Sequence, residues 1–523
     1  MAKKKIKFDA TKARVATYDP EGNLLSEING ELKSDFYGGI EKMCYLSDDY
    51  CAFYKGKKMG IVDSRGEMIS PAEFESIKAD GDVFQIDKKN RTTKDSETGY
   101  INRQGDLLFD PSEYTPVCLS ASDGRIPVKC NDTGKEGAFD LEGNLLIPPT
   151  FFRLGGFHHN LSVACEEKGK FGLLNLDGSW ALAPEYSSVG GFRRGIDELQ
   201  DYCVADKDGK YFLIDKDCNV VAGPVDHPIH QYCHHGDGMY LAVGDNDKIG
   251  VVAPNGDVVL PMEYEDVSFL NGEYILFMKD FRMGPIHMAD LKGNVLITGN
   301  GSIHMEHGLI VIDYKEVLKP DLTHVCKAGA VKVFEHVIFV SDDNKLWGVT
   351  DHNGNVILEK EWEHPCTFVN DLKFIDGLIF LRRDGKTVYM DERGHIAFSI
   401  DGPGRMIIGG YAITGSEGDY GVIDKYGNTI AEHLPEASNL GEGYILINNA
   451  ENDAPAILNA ATGERIALPG RVYGRICCGK MTFRSSDSRK GVVSISDGKV
   501  LVEPLYDLIL LTPKAIWGYI PKQ

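Results

Sequence analysis

FGLLNLDGSWALAPEY, residues 171–186, holds two apolar runs separated by the bend Asn175-Leu176-Asp177-Gly178. Asn or Asp at the first place of a four-residue bend, with Gly at the fourth, is the signature of a type I turn. A glycine there takes the left-handed conformation that closes a hairpin with a bulge. The flanking Phe, Leu and Trp residues suit strands. The segment therefore predicts a β-hairpin.

The same pattern returns along the chain. Clear copies are MGIVDSRGEMISPAEF (59–74), IGVVAPNGDVVLPMEY (249–264), WGVTDHNGNVILEKEW (347–362) and YGVIDKYGNTIAEHLP (420–435). The second glycine of each serves as a ruler. It falls at Gly22, Gly66, Gly105, Gly143, Gly178, Gly256, Gly293, Gly354, Gly394, Gly427, Gly463 and Gly498, and Cys218 takes its place in one further copy. Spacings lie between 33 and 44 residues, except for 61 residues from Gly293 to Gly354. That gap predicts a degenerate copy or a linker. Gly60, Gly172, Gly250, Gly348, Gly421 and Gly491 stand inside or at the start of a strand. Glycine there marks a bulge or the close approach of another backbone or ring.

Each period also holds a preceding apolar segment and often a second turn, as in LSVACEEKGKFGLLNLDG, which predicts three or four strands per repeat. A lone hairpin is marginal in water, so such units must stack on their neighbours. No long stripe of 3.6-residue period predicts a helix. The chain resembles the bacterial WG (KWG) repeat proteins, whose typical unit reads K-W/Y-G-aromatic-I-D-x-x-G-x-x-V-I-P-x-x-Y. The Trp-Gly pair stands at Trp347–Gly348 and at Trp517–Gly518. Elsewhere the aromatic is Phe171 or Tyr420, or is replaced by Met59 or Ile249. The resemblance runs from about Arg14 to the last residues. It implies an all-β repeat fold and no particular activity.

The fold class expected is all-β, with tandem hairpin or blade repeats forming a β-propeller-like array, possibly two rings; an open β-repeat superhelix is the alternative. The expected division is a first array over 1–300, a degenerate repeat or linker over 301–335, and a second array over 336–523. AIWGYIPKQ (515–523) starts a repeat that stops before its ruler glycine, and RVATYDPEGNLLSEI (14–28) supplies the later part. This predicts closure of one sheet by both termini, which removes exposed edges.

Composition narrows the function classes. Of 523 residues, 42% are hydrophobic and 26% charged, as in a folded protein. A net charge of −22 repels phosphate backbones, which weighs against nucleic acid as a partner. No stretch approaches the length of a membrane span, so no membrane partner is expected. MAKKKIKFDA lacks the apolar run of a signal peptide. The twelve cysteines form no C-x-x-C pair and read as reduced thiols, which points to the cytoplasm.

One segment invites chemistry. DHPIHQYCHHGDGMY (226–240) supplies His227, His230, Cys233, His234 and His235, all good metal ligands by type. Their spacing matches no structural zinc pattern, and an inter-strand loop without metal is expected. There is no G-x-S-x-G elbow and no Walker A loop. No catalytic residue and no cofactor is expected. These readings favour a non-catalytic repeat scaffold for protein–protein interaction, its partner unidentified. The alternative is a small-ligand or glycan-binding β-propeller, and a third reading is a metal-dependent hydrolase.

Overall fold

The computed structural model describes residues 13–37, 40–89, 96–118, 120–190, 202–236, 238–245, 248–280, 284–364, 371–448 and 455–521. Among these residues there is no α-helix; strands joined by tight turns make up the fold. Strands pair antiparallel with their sequence neighbours, most of them in sheets of four. The repeat around residues 171–186 has strands Arg153–His158, Leu161–Cys165, Phe171–Asn175 and Trp180–Tyr186, side by side in sequence order. The ruler turn joins the third strand to the fourth.

By its contacts the chain divides into two units. The first is Met1–Ile229 with Arg484–Val492 and Leu501–Gln523; the second is His230–Phe483 with Val493–Val500. Within each unit, consecutive sheets bury a shared apolar layer. In the first, Leu161, Leu173, Cys203, Ala205 and Ile214 fill one such layer. In the second, Val251, Leu260, Val267, Ile275 and Phe277 fill another. Removing this apolar surface from water is what stabilises the array, because no single sheet has a core of its own.

The long interval between Gly293 and Gly354 contains one more sheet, in the second unit. Its strands are Ile303–Glu306, Leu309–Ile312, Glu316–Leu318 and His324–Lys327, again in sequence order. Leu322 occupies the ruler place: its φ is +68° and its amide donates to the Lys319 carbonyl at 2.8 Å. Replacing glycine by leucine hid this repeat from the pattern. Residues 301–335 thus carry a repeat, and the division by contacts falls instead between Ile229 and His230.

In the first unit the two ends of the chain share a sheet, ordered Leu24–Asn29, Arg14–Tyr18, Ile516–Ile520, Leu508–Leu511. Arg14 pairs with Ile520 and Tyr18 with Ile516. The strand that carries Trp517 and Gly518 takes the second place in this sheet, and Arg14–Tyr18 takes the third. Trp517–Gly518 is therefore not the counterpart of Trp347–Gly348, which lies on a third strand, Leu346–Asp351. Gly518 is small for a different reason: a Cβ there would lie 2.5 Å from the Tyr506 ring.

The glycine of the third strand has a precise cause. Phe171 pairs with Tyr186 but Leu173 pairs with Leu182, so three residues of the fourth strand bulge opposite Gly172. A Cβ on Gly172 would lie 2.3 Å from the Leu182 carbonyl oxygen. The same step of four recurs opposite Gly60, Gly137, Gly250 and Gly348, and a step of three opposite Gly421. The extra residues include Pro71, Pro148, Pro184 and Pro261, and proline, which has no amide to offer, suits a place where the ladder lacks a rung. Where the pairing is regular the glycine is absent: His287, Val388 and Ala16 hold its place. At Phe212 the bulge persists and the glycine has moved across to Gly223, whose Cβ would lie 2.5 Å from the Tyr211 carbonyl oxygen.

Candidate functional site

The ruler turns are built alike. All twelve ruler glycines and Cys218 have positive φ, from +64° at Cys218 to +90° at Gly105. In eleven of these thirteen turns the ruler amide donates to the carbonyl three residues earlier; at Gly463 and Gly498 it reaches four residues back. The side chain of the first turn residue then collects further amides. Asp424 Oδ1 accepts from the amides of Tyr426 and Asn428, both at 2.8 Å, and Oδ2 accepts from Asn428 Nδ2 at 2.8 Å. Asp140, Asp290 and Asp351 repeat this arrangement with Asn144, Asn294 and Asn355. The pattern D-x-x-G-N was present in the sequence; the role of its Asn, which ties the carboxylate from the far side of the turn, was missed. Burial raises the pKa of each of these aspartates, but the Asn side chain and the turn amides outweigh it and hold the carboxyl below its usual value. This repeated acidic motif is turn chemistry, and each of these carboxylates already accepts three hydrogen bonds within its own turn.

At several positions the ruler glycine also meets the preceding repeat. In the first unit a Cβ on Gly105 would lie 2.1 Å from the Ile69 carbonyl oxygen, and one on Gly22 would lie 2.4 Å from that of Leu501. In the second unit a Cβ on Gly293 would lie 2.6 Å from the Val259 carbonyl oxygen. The junction of Gly22 with Leu501, near the shared terminal sheet, thus has the same geometry as a junction between successive repeats. Trp347 and Trp517 are fully buried, and neither indole N–H has a hydrogen-bond partner among the described residues. They act as apolar volume in the inter-sheet layers. Gly491 is buried on the strand Lys490–Ser494.

The His-rich segment is a strand, Ile229–His235, and not the loop expected from its polarity. Successive side chains of a strand point to opposite faces, so His230 and His234 lie opposite Cys233 and His235. His230 Nε2 is 3.1 Å from the Gly244 carbonyl oxygen, and His235 Nδ1 is 3.0 Å from that of Gly272. Burial pushes the Cys233 thiol up to about 11, which disfavours the thiolate a metal needs. His227 precedes the strand. No group of three or more His, Cys, Asp or Glu side chains among the described residues is placed to hold a metal ion.

A cleft that the sequence did not signal lies in the second unit. Strands Val356–Glu363 and Leu378–Arg383 join two repeats through a single rung, Glu363 with Arg382. Where they part, a cleft of ≈ 530 Å³ opens, lined by Glu361, Glu363, Arg382, Arg383, Lys386 and Thr387, among others. Arg383 pairs with Glu361 and, at 3.1 Å, with Asp384. Among the described residues Arg382 has no carboxylate partner. Its Nη2 donates to the Gly404 carbonyl at 2.5 Å, its Nε is buried without a partner, and its guanidinium lies 5.3 Å from the Phe380 ring centroid. Burial and this uncompensated cation together push His364 down to about 4.

With this geometry the repeat is specified by a turn, a bulge and a paired glycine. A family model described as a WG containing repeat matches residues 171–211 and 249–280. Those two segments are WG repeats. The repeats outside those two matches share the same ruler conformation and, in most, the same aspartate or asparagine at the head of the turn. No curated protein matches the chain. Among solved structures it is similar to a eukaryotic initiation factor, at 12% identity over 66% of this chain and 95% of that one, with a TM-score of 0.28. It is also similar to the computationally designed Ika8 protein, at 12% identity, 61% and 96% coverage and a TM-score of 0.23. BamB from Moraxella catarrhalis matches at 14% identity, 70% and 96% coverage and a TM-score of 0.19.

Proposed function

We propose that the chain is a non-catalytic, cytoplasmic scaffold whose WG repeats present a surface to a protein partner. The observation that carries this reading is a row of exposed aliphatic side chains two residues after the ruler. In the first unit three consecutive repeats place Met68, Leu107 and Leu145 there, between 40% and 51% exposed. The second unit repeats the feature with Val258, Val295, Val356 and Ile396, between 49% and 69% exposed. Single exposed apolar residues are ordinary, whereas a recurring row at one register of stacked repeats is the kind of surface that partners cover. The acidic charge steers such a partner away from nucleic acid.

The test is capture from native extract on two immobilised baits, the wild-type chain and the triple variant Met68→Ser, Leu107→Ser, Leu145→Ser. A specific protein held by the first and released by the equally folded second supports the reading. Recovery of abundant chaperones alone, or equal recovery on both baits, overturns it.

A further inference from the structure

The charged cleft in the second unit has a composition that specifies a ligand. Its walls carry three cations, Arg382, Arg383 and Lys386, and three anions, Glu361, Glu363 and Asp384. In a chain of net charge −22 this is a locally neutral place. Its charges are unequally engaged. Arg383 is shared between Glu361 and Asp384. Lys386 only grazes Asp401, at 3.9 Å, and both side chains are largely in water, where such a pair contributes little. Thr387 is satisfied within its own repeat: its hydroxyl donates to the Gly402 carbonyl and accepts from the Gly404 amide. Arg382 has only a neutral carbonyl against its charge, and Glu363 forms no hydrogen bond or ion pair among the described residues. One guanidinium and one carboxylate are therefore left facing the same cleft, on the single rung that joins the two repeats.

We propose that this cleft binds a small zwitterion, an α-amino acid or a dipeptide with both termini free. Its carboxylate lies on the Arg382 guanidinium with Lys386 in support, and its ammonium on Glu363. The fit follows from charge and size. A free anion must approach an acidic protein and then meet the three wall carboxylates, and a free cation meets three wall cations. A molecule carrying both charges answers each unengaged group without adding net charge. A volume of ≈ 530 Å³ is within the range of small-molecule sites, which commonly lie where structural units meet. Arg382 is held for such a role by its contact with Phe380 and its bond to Gly404, so little rotamer freedom remains to be lost on binding. The bond expected between guanidinium and carboxylate is the charge-assisted, bidentate kind.

Titration calorimetry of the full chain with L-alanine, Ala-Ala, N-acetyl-Ala-Ala and Ala-Ala amide tests this. Ala-Ala, L-alanine or both should bind, and which of them binds identifies the source as peptide or free amino acid. Acetylation or amidation should each weaken binding at least about tenfold. Arg382→Met, which keeps the stem against Phe380, should weaken it similarly. So should Glu363→Gln, and in that variant acetylation should cost nothing more. Because Arg382 is partly buried, the exposed Lys386→Met serves as a variant whose folding is not in question, and it should weaken carboxylate-bearing probes only. Absence of heat from every probe at about 10 mM overturns the proposal. So does equal binding of capped and uncapped peptides, or wild-type affinity in folded Arg382→Met and Glu363→Gln.

Discussion

At the scale of the residue, two glycines per repeat are glycine for different reasons. The ruler glycine needs a left-handed backbone, and at Gly22, Gly105, Gly293, Gly354 and Gly498 a backbone carbonyl also stands within 2.6 Å of the missing Cβ. The strand glycine has an ordinary backbone and lacks room alone. Gly250 shows this second case: a Cβ would lie 2.5 Å from the Leu260 carbonyl oxygen and 2.8 Å from the Met262 amide nitrogen, both backbone atoms that cannot swing away. Gly250→Ala is therefore expected to destabilise the chain by about 1–3 kcal/mol, the usual range for overpacking, read as a lowered denaturant midpoint at unchanged slope. An unchanged midpoint would mean that the fourth strand shifts at no cost. The ruler position was legible because left-handed backbone restricts residue choice so strongly. Leu322 escaped notice because a side chain does sit there, in the disfavoured conformation at a cost of about 1–2 kcal/mol.

At the scale of the element, the turn carboxylates act as local ties that depend on charge. Asp140, Asp290, Asp351, Asp391 and Asp424 all have carboxyls held below the usual 3.8: burial raises each, and Asn or His side chains together with turn amides lower each further. A carboxyl whose folded value is depressed contributes stability that is complete above its unfolded value and is lost as pH falls through the folded one. The melting temperature should thus stay flat from pH 7 to about pH 5 and fall together with pH below about 4. A melting temperature unmoved down to pH 2.5 would show that these bonds do not hold the turns. Hairpins and their turns were visible in the sequence because turn chemistry is local. The four-residue step in the fourth strand was visible only as an unexplained glycine and a nearby proline, since a bulge is a relation between two strands. The cleft was invisible for the same reason: Glu363 and Arg382 are neighbours through pairing, nineteen positions apart along the chain.

At the scale of the whole molecule, the shared terminal sheet governs how the first unit responds to truncation. Removing residues 514–523 takes away the strand between Arg14–Tyr18 and Leu508–Leu511 and with it Ile516 and Trp517, both fully buried. Loss of one buried Trp side chain costs about 3–5 kcal/mol, and two strands acquire open edges. The shortened chain is expected to melt earlier and to self-associate as concentration rises, as followed by light scattering. A truncated chain that stays monomeric with an unchanged melting temperature would show that the terminal pairing is dispensable. Contact between sequence-distant ends is a costly kind of pairing to form, and only the incomplete repeat at each end announced it.

That pairing also sets a timetable. During synthesis, the strand Arg14–Tyr18 leaves the ribosome some five hundred codons before its partner Ile516–Ile520. At ordinary translation speeds of roughly 5–20 residues per second, the early strand waits of the order of a minute with one flank unclaimed. A nascent chain is thus expected to need holding factors over that interval, and a gene rearranged so that both strands are translated together is expected to shed that dependence.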